Sequence, residues 1–306
     1  MDDLDIDDFA QVSEPDDRSS ERREYAFDNR SGACKKRVDN LADFVSRGHG
    51  VTSVPTAQTA LRIGSAPLVS RALGSMVAMD EMRRVRIFGS TAYAWGTTPR
   101  FARQYHDVKP GARFFPRLST IWRPHPEFIH DEITLRGMAG LAPSEDYLTE
   151  QEVSRELPHG VRPPDGVVRL KIGERWWVAN VETVKSRQTG KQGGCAKVAD
   201  QILNVFLDRA LGRWTTSLGR TNATLVIASM ADGLKIATRI RRDVAEFEDM
   251  PRVWFLFMLL TKSDGEPFEE YKELDVFARL SSAHLWRVEN DSPSVRPVAD
   301  IWTPWI

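Results

Sequence analysis

The pattern of apolar and polar positions divides the chain into a helical first third and an alternating α/β remainder. Val38, Leu41, Phe44 and Val45 recur at helical spacing, and Gly48 and Gly50 close that run. Ala60, Leu61 and Ile63 predict a short second helix capped by Thr56, and Gly64 turns the chain before Pro67 opens a third helix from Leu68 to about Met82. Arg83–Gly89 and Thr91–Gly96 then predict two short strands joined at Gly89-Ser90. Pro99–Tyr105 is a short helix and Lys109–Pro126 a connector rich in proline, arginine and aromatics. His130-Asp131-Glu132 opens a helix carrying Ile133, Leu135, Met138 and Leu141. Further on, the pattern predicts a helix within Lys191–Arg213, a buried strand Thr224–Ser229, a helix Asp232–Phe247, a buried strand Arg252–Thr261 and a last strand Asp275–Leu280. Alternating helices and buried strands define an α/β class.

Composition is that of a globular chain, with 41% hydrophobic and 28% charged residues over 306 positions, enough for two modest domains. The net charge of -1 conceals an asymmetry. Eight acidic residues against Arg18 alone give the first twenty positions a charge of -7 and leave the remaining body at +6. Residues 1–36, acidic and without apolar periodicity, read as a disordered tail. A basic body suits a polyanionic partner and equally suits a soluble protein with none. Cys34 and Cys195 lie far apart without metal-type spacing, and no long apolar run appears. The expectation is a cytoplasmic protein with no membrane partner.

Three helices, a tight turn between the second and third, and a following hairpin over residues 37–106 resemble a winged helix-turn-helix. Arg71 on the third helix and Arg83, Arg84 and Arg86 entering the hairpin are then candidate DNA contacts. The alternative is a packing or dimerisation module with solvated arginines.

Pro164–Arg187 holds the candidate chemistry. Two β-rich runs around Gly173-Glu174-Arg175 predict a hairpin with Asp165 at the start of one strand and Asn180, Glu182 and Lys185 at the end of the other. Carboxylates gathered across neighbouring strands can hold a hard divalent cation. Asn180 and Glu182, two apart, share one face, whereas Lys185, three beyond Glu182, falls on the other unless the strand ends or bulges. Thr149-Glu150-Gln151-Glu152 has the capping-box arrangement of a helix start. The adjacent His130 and Asp131 lack a further histidine at metal-type spacing, and helix capping and packing account for them.

In order, YLTEQEVSREL, His159, PPDGVV and VETVKSR resemble the replication-relaxation proteins of plasmids and mobile elements across roughly Val38–Arg213, with Thr149 where that layout has serine. The resemblance implies a winged helix followed by a PD-(D/E)XK nuclease-like α/β sandwich with a central mixed sheet. The expected organisation is an acidic tail at 1–36, the winged helix at 37–106, a linker at 107–127, the nuclease-like domain at 128–285 and a tail at 286–306. It further implies DNA as partner, replication or transfer proteins and a second copy of the chain as further partners, and magnesium as cofactor, with manganese substituting. That nuclease pattern sets an acid and a lysine two positions apart, and Asp165 would bind the metal in either of two registers. In one, Glu182 also binds it and Lys185 swings back to steady charge; in the other, Glu182 occupies the lysine position and Asn180 replaces a metal ligand. Glu150 would orient metal or water in both. The alternative is a non-enzymatic DNA-binding regulator on a degenerate nuclease fold.

Overall fold

The computed structural model describes residues 32–89, 91–106, 120–124, 126–172, 174–184, 194–207, 215–244, 255–261, 282–288 and 295–297. The acidic tail up to residue 31, most of the connector, Lys185 and the expected strand at 275–280 lie outside these residues. Among the described residues the fold is mixed α/β with eight helices.

The first unit runs α1 (Gly32–Arg47), β1 (Val51–Ser53), α2 (Val54–Leu61), α3 (Ala66–Ala78), β2 (Met82–Ile87), β3 (Tyr93–Thr97), α4 (Pro99–His106) and β4 (Ile121–Trp122). The first helix therefore takes in residues 32–36, which the sequence assigns to the tail. The cap of α2 is Ser53, whose side chain accepts from the Thr56 amide, so Thr56 sits inside the first turn. Pro67 falls in the first turn of α3, where its missing donor costs little. The short strand β1, too brief for an alternation signal, pairs with β3 and completes a four-stranded sheet in the order β1-β3-β2-β4.

The second unit runs α5 (Pro126–Leu141), β5 (Tyr147–Thr149), α6 (Glu150–Glu156), β6 (Gly166–Ile172), β7 (Arg175–Thr183), α7 (Gly194–Leu207), β8 (Thr215–Thr216), β9 (Gly219–Arg220), β10 (Ala223–Ala228), α8 (Met230–Val244), β11 (Phe255–Thr261), β12 (Ser282–Val288) and β13 (Val295–Pro297). Its seven-stranded sheet has the order β13-β12-β11-β10-β7-β6-β5. β10 is parallel to β7 and β11, and the other pairs are antiparallel. The predicted hairpin is β6–β7, paired as far as Ile172↔Arg175. The sheet extends to residues 295–297, past the expected boundary at 285.

Strand parity sorts the core into two layers. Val181, Leu225 and Ile227 join Ile133 and Met138 of α5 on one side of the sheet, while Val226 and Ala228 join Val198 and Ile202 of α7 and Ile236 and Ile240 of α8 on the other. The same α5-side cluster contains Leu41, Leu73 and Phe101, so the first unit shares a continuous core with the second. Polar contacts reinforce the junction. Glu132 of α5 accepts from the Ser53 amide at 3.0 Å, and Arg136 donates from Nε to Thr56 at 2.8 Å and from Nη2 to Ser53 at 3.1 Å. Arg47 at the end of α1 reaches Glu152 at 2.8 Å.

Candidate functional site

Four elements of the second unit and one turn of the first converge on a cleft of about 390 Å³. It opens at the C-terminal end of β7, where a helix begins beyond a strand paired in parallel with β10, a location that α/β sheets commonly use for ligands. Three carboxylates named from the sequence line it: Glu150 from the start of α6, Asp165 just before β6, and Glu182 from the end of β7. Each has a local reason to be there. Thr149 caps α6 by accepting from the Glu152 amide while Glu152 accepts from the Thr149 amide, which places Glu150 at the first helical position. Gly166, paired with Val181, follows Asp165 at the start of β6, and a Cβ at Gly166 would meet Met138 Sδ at 2.5 Å and the Leu148 carbonyl at 2.9 Å. Only glycine lets the chain beside Asp165 approach α5 and β5 this closely.

Glu182 pairs with Val226 and so faces the α7 side, where Gln201 donates to its Oε1 at 3.2 Å. Burial, and then the nearby Asp165, push its carboxyl well above the usual carboxylate range. Glu150 is raised for the same two reasons, with Asp131 adding to the effect. The other wall carries Arg162, which pulls the Glu182 pKa back, and Lys197 and Gln201 from α7. Glu127, Asp131, Glu150, Asp165 and Glu182 stand with Arg162, Lys197, His49 and His130 in a strongly polar cleft of mixed charge.

The structure assigns His130 and Asp131 more than capping and packing. They lie within α5, one turn past its start, and line the cleft. His130 Nε2 stands 3.0 Å from Asp165 Oδ2, and Nδ1 stands 3.1 Å from Asp131 Oδ1. Asp131 Oδ2 in turn meets His49 Nδ1 at 3.0 Å, and Asp165 Oδ2 also accepts from the Thr183 amide at 2.7 Å. Burial alone would lower the His130 pKa, but its bonds to Asp131 and Asp165 outweigh that and raise it to about 9. Burial would raise Asp131, but His130 and His49 outweigh it and hold the carboxyl at about 2. A chain of four side chains thus leads from the turn after α1 to the carboxylate at the start of β6. The legible signal is α5 itself, buried from Ile133 to Ala139 yet carrying His130, Asp131, Glu132 and Arg136. Charges on a helix surrounded by protein need partners.

The remaining expected residues fall elsewhere. Asn180 lies on the Glu182 side of β7, is 4% exposed and does not line the cleft. Lys185 lies outside the described residues. Arg71 is exposed on α3, and Arg83, Arg84 and Arg86 are exposed on β2. Among the described residues, no three His, Cys, Asp or Glu side chains are drawn close enough to hold a metal ion, and no helix is long and apolar enough to cross a membrane. No family model, curated protein or solved structure matches the chain.

Proposed function

We propose that the protein is a DNA-binding protein of a plasmid or mobile element that nicks or processes DNA with a divalent metal. It would combine a winged helix at the N-terminal unit with a PD-(D/E)XK nuclease-like second unit. The observation that carries the reading is the convergence of Glu150, Asp165 and Glu182, far apart in sequence, on one cleft at the end of β7. All three offer hard oxygen donors, and burial first, then the neighbouring Asp165, raises the Glu182 carboxyl, an environment in which a bound cation would favour its ionised form. Although no three of the described His, Cys, Asp or Glu side chains are close enough to hold an ion by themselves, Asp165 and Glu182 would hold magnesium or manganese, with Glu150 nearby and water oxygens filling the shell. Such an ion, when bound, supplies charge neutralisation at a phosphodiester and an activated water.

The chain's own side chains have separate parts. Arg162 and Lys197 on the cleft wall would take the phosphate and steady its developing charge, a part the sequence gives to Lys185. The Thr183 amide and His130 hold the Asp165 carboxylate in a fixed orientation. Helix α3 and the arginines of β2 would contact the DNA backbone.

Purified protein is expected to nick supercoiled DNA with magnesium or manganese, and Asp165→Asn to lose at least about 100-fold of that activity while binding DNA as before. Failure of the wild type to nick with either metal would sink the enzymatic reading. The second reading, a non-enzymatic replication or transfer regulator, is favoured by Asn180, an amide buried away from the cleft. It expects DNA binding that falls with salt and is indifferent to Asp165.

A further inference from the structure

The sheet of the N-terminal unit has two unlike faces. On one, Val85, Ile87, Ala94 and Trp122 are buried. On the other, register brings Tyr93 of β3, Arg86 of β2 and Ile121 of β4 into one row across three strands. The neighbouring row pairs Arg84 with Trp95, and Phe88 continues the alternation two residues past Arg86, its amide bonded to the Trp122 carbonyl at 2.9 Å. Phe88 is 58% exposed, Ile121 54% and Tyr93 42%. The Arg84 guanidinium lies 4.9 Å from the centre of the Tyr93 ring, and Trp95, almost buried, backs that ring at 6.4 Å. No acidic residue occurs in β2, β3 or β4.

The face combines two chemistries that a single partner must satisfy. Arg84 and Arg86 make the face basic, which suits an anion, and its exposed rings and isoleucine suit a flat apolar surface. A DNA duplex answers only the first, because its base faces are stacked on one another and inaccessible. A protein partner would have to supply acidic side chains opposite Arg84 and Arg86 as well as an apolar surface for the rings. An unpaired nucleotide run answers both, with phosphates for the arginines and base faces for the rings.

We infer that this face, built on Arg84, Arg86, Phe88 and Tyr93 with Ile121 at its edge, binds single-stranded nucleic acid by stacking. The inference rests on the DNA-binding reading above and adds the strand state of the ligand. Tyr93 to Ile121 spans two strand spacings, about 10 Å, which accommodates roughly two to three nucleotides. The Arg84 guanidinium lies over the Tyr93 ring and Trp95 packs beside it at a tilt, so the ring is held ready rather than ordered on binding.

Fluorescence anisotropy of the full chain with a labelled oligo-dT strand and with a labelled duplex of equal length tests this. Phe88→Ala and Tyr93→Ala are each expected to weaken binding of the single strand by about 5- to 100-fold and to leave duplex binding unchanged. Tyr93→Phe, which keeps the ring, should bind as the wild type. Arg84→Gln should weaken both ligands and flatten the salt dependence by roughly one unit of slope. Thermal melts confirm that each variant is folded. The stacking inference is overturned if Phe88→Ala and Tyr93→Ala bind oligo-dT normally, or if both ligands weaken together. Duplex binding without oligo-dT binding overturns it alone, whereas binding of neither overturns the DNA-binding reading as well. A concentration-dependent dimer that Phe88→Ala dissolves would make the face a contact between copies and also overturn it.

Discussion

At the scale of single residues, His130 is the group whose environment departs furthest from what its neighbours in sequence suggest. Both ring nitrogens face carboxylate oxygens, at 3.0 and 3.1 Å, a geometry that only the doubly protonated imidazolium satisfies with two donors. Its folded pKa of about 9 lies above its ordinary value, so its contribution to stability is complete below about pH 6.5 and is lost as pH rises through about 9. Urea denaturation of the wild type and His130→Gln should show the difference between them shrinking by on the order of 3 kcal/mol from pH 6 to pH 10. A constant difference across that range would mean that the ring is not held as the cation. The charges carried by α5 signal that His130 needs partners, but they do not say which, because Asp165 is 35 positions away and His49 lies in the other unit.

At the scale of elements, α6 and α5 show how local and long-range order divide the labour. The capping box of α6 is written in four adjacent residues and forms as the sequence predicts. Its Glu152 then does a second service, pairing with Arg47 of α1 at 2.8 Å, which the sequence does not reveal. Thr149→Ala should cost about 1 kcal/mol of stability and, by loosening the turn that carries Glu150, raise the manganese concentration needed for half-maximal nicking. Helix α5 is organised the other way. Arg136 is wholly buried and its pKa is lowered to about 10 by that burial, with Glu132 opposing the fall. Its partners include Glu132 and, across the junction, Ser53 and Thr56. Arg136→Ala would leave Glu132 an uncompensated buried acid, and chemical denaturation should register a loss of about 3–5 kcal/mol. Replacing both Glu132 and Arg136 with apolar residues of similar volume should cost much less.

At the scale of the whole molecule, the two units share one apolar cluster as well as the Arg136 and Arg47 contacts. They should therefore unfold together, and calorimetry should give one transition whose calorimetric and van't Hoff enthalpies agree. Two separated transitions would show that the junction is weaker than its burial implies. The sequence predicts the α/β class, three N-terminal helices with a hairpin, the β6–β7 hairpin and the face parity of Asn180 and Glu182, because each of these is set by residues a few positions apart. It divides the chain at a linker and omits β1, since three residues carry no period and a shared core carries no mark at its seams. It also names three of the cleft carboxylates from motif order. What it leaves undetermined is their company: His49, His130, Arg162 and Lys197 reach the cleft from four separate segments, and Asn180, two residues from Glu182, does not. Local spacing decides which side of a strand a residue occupies. Only the packing of α5 and α7 against opposite faces of the sheet decides which of those residues meet.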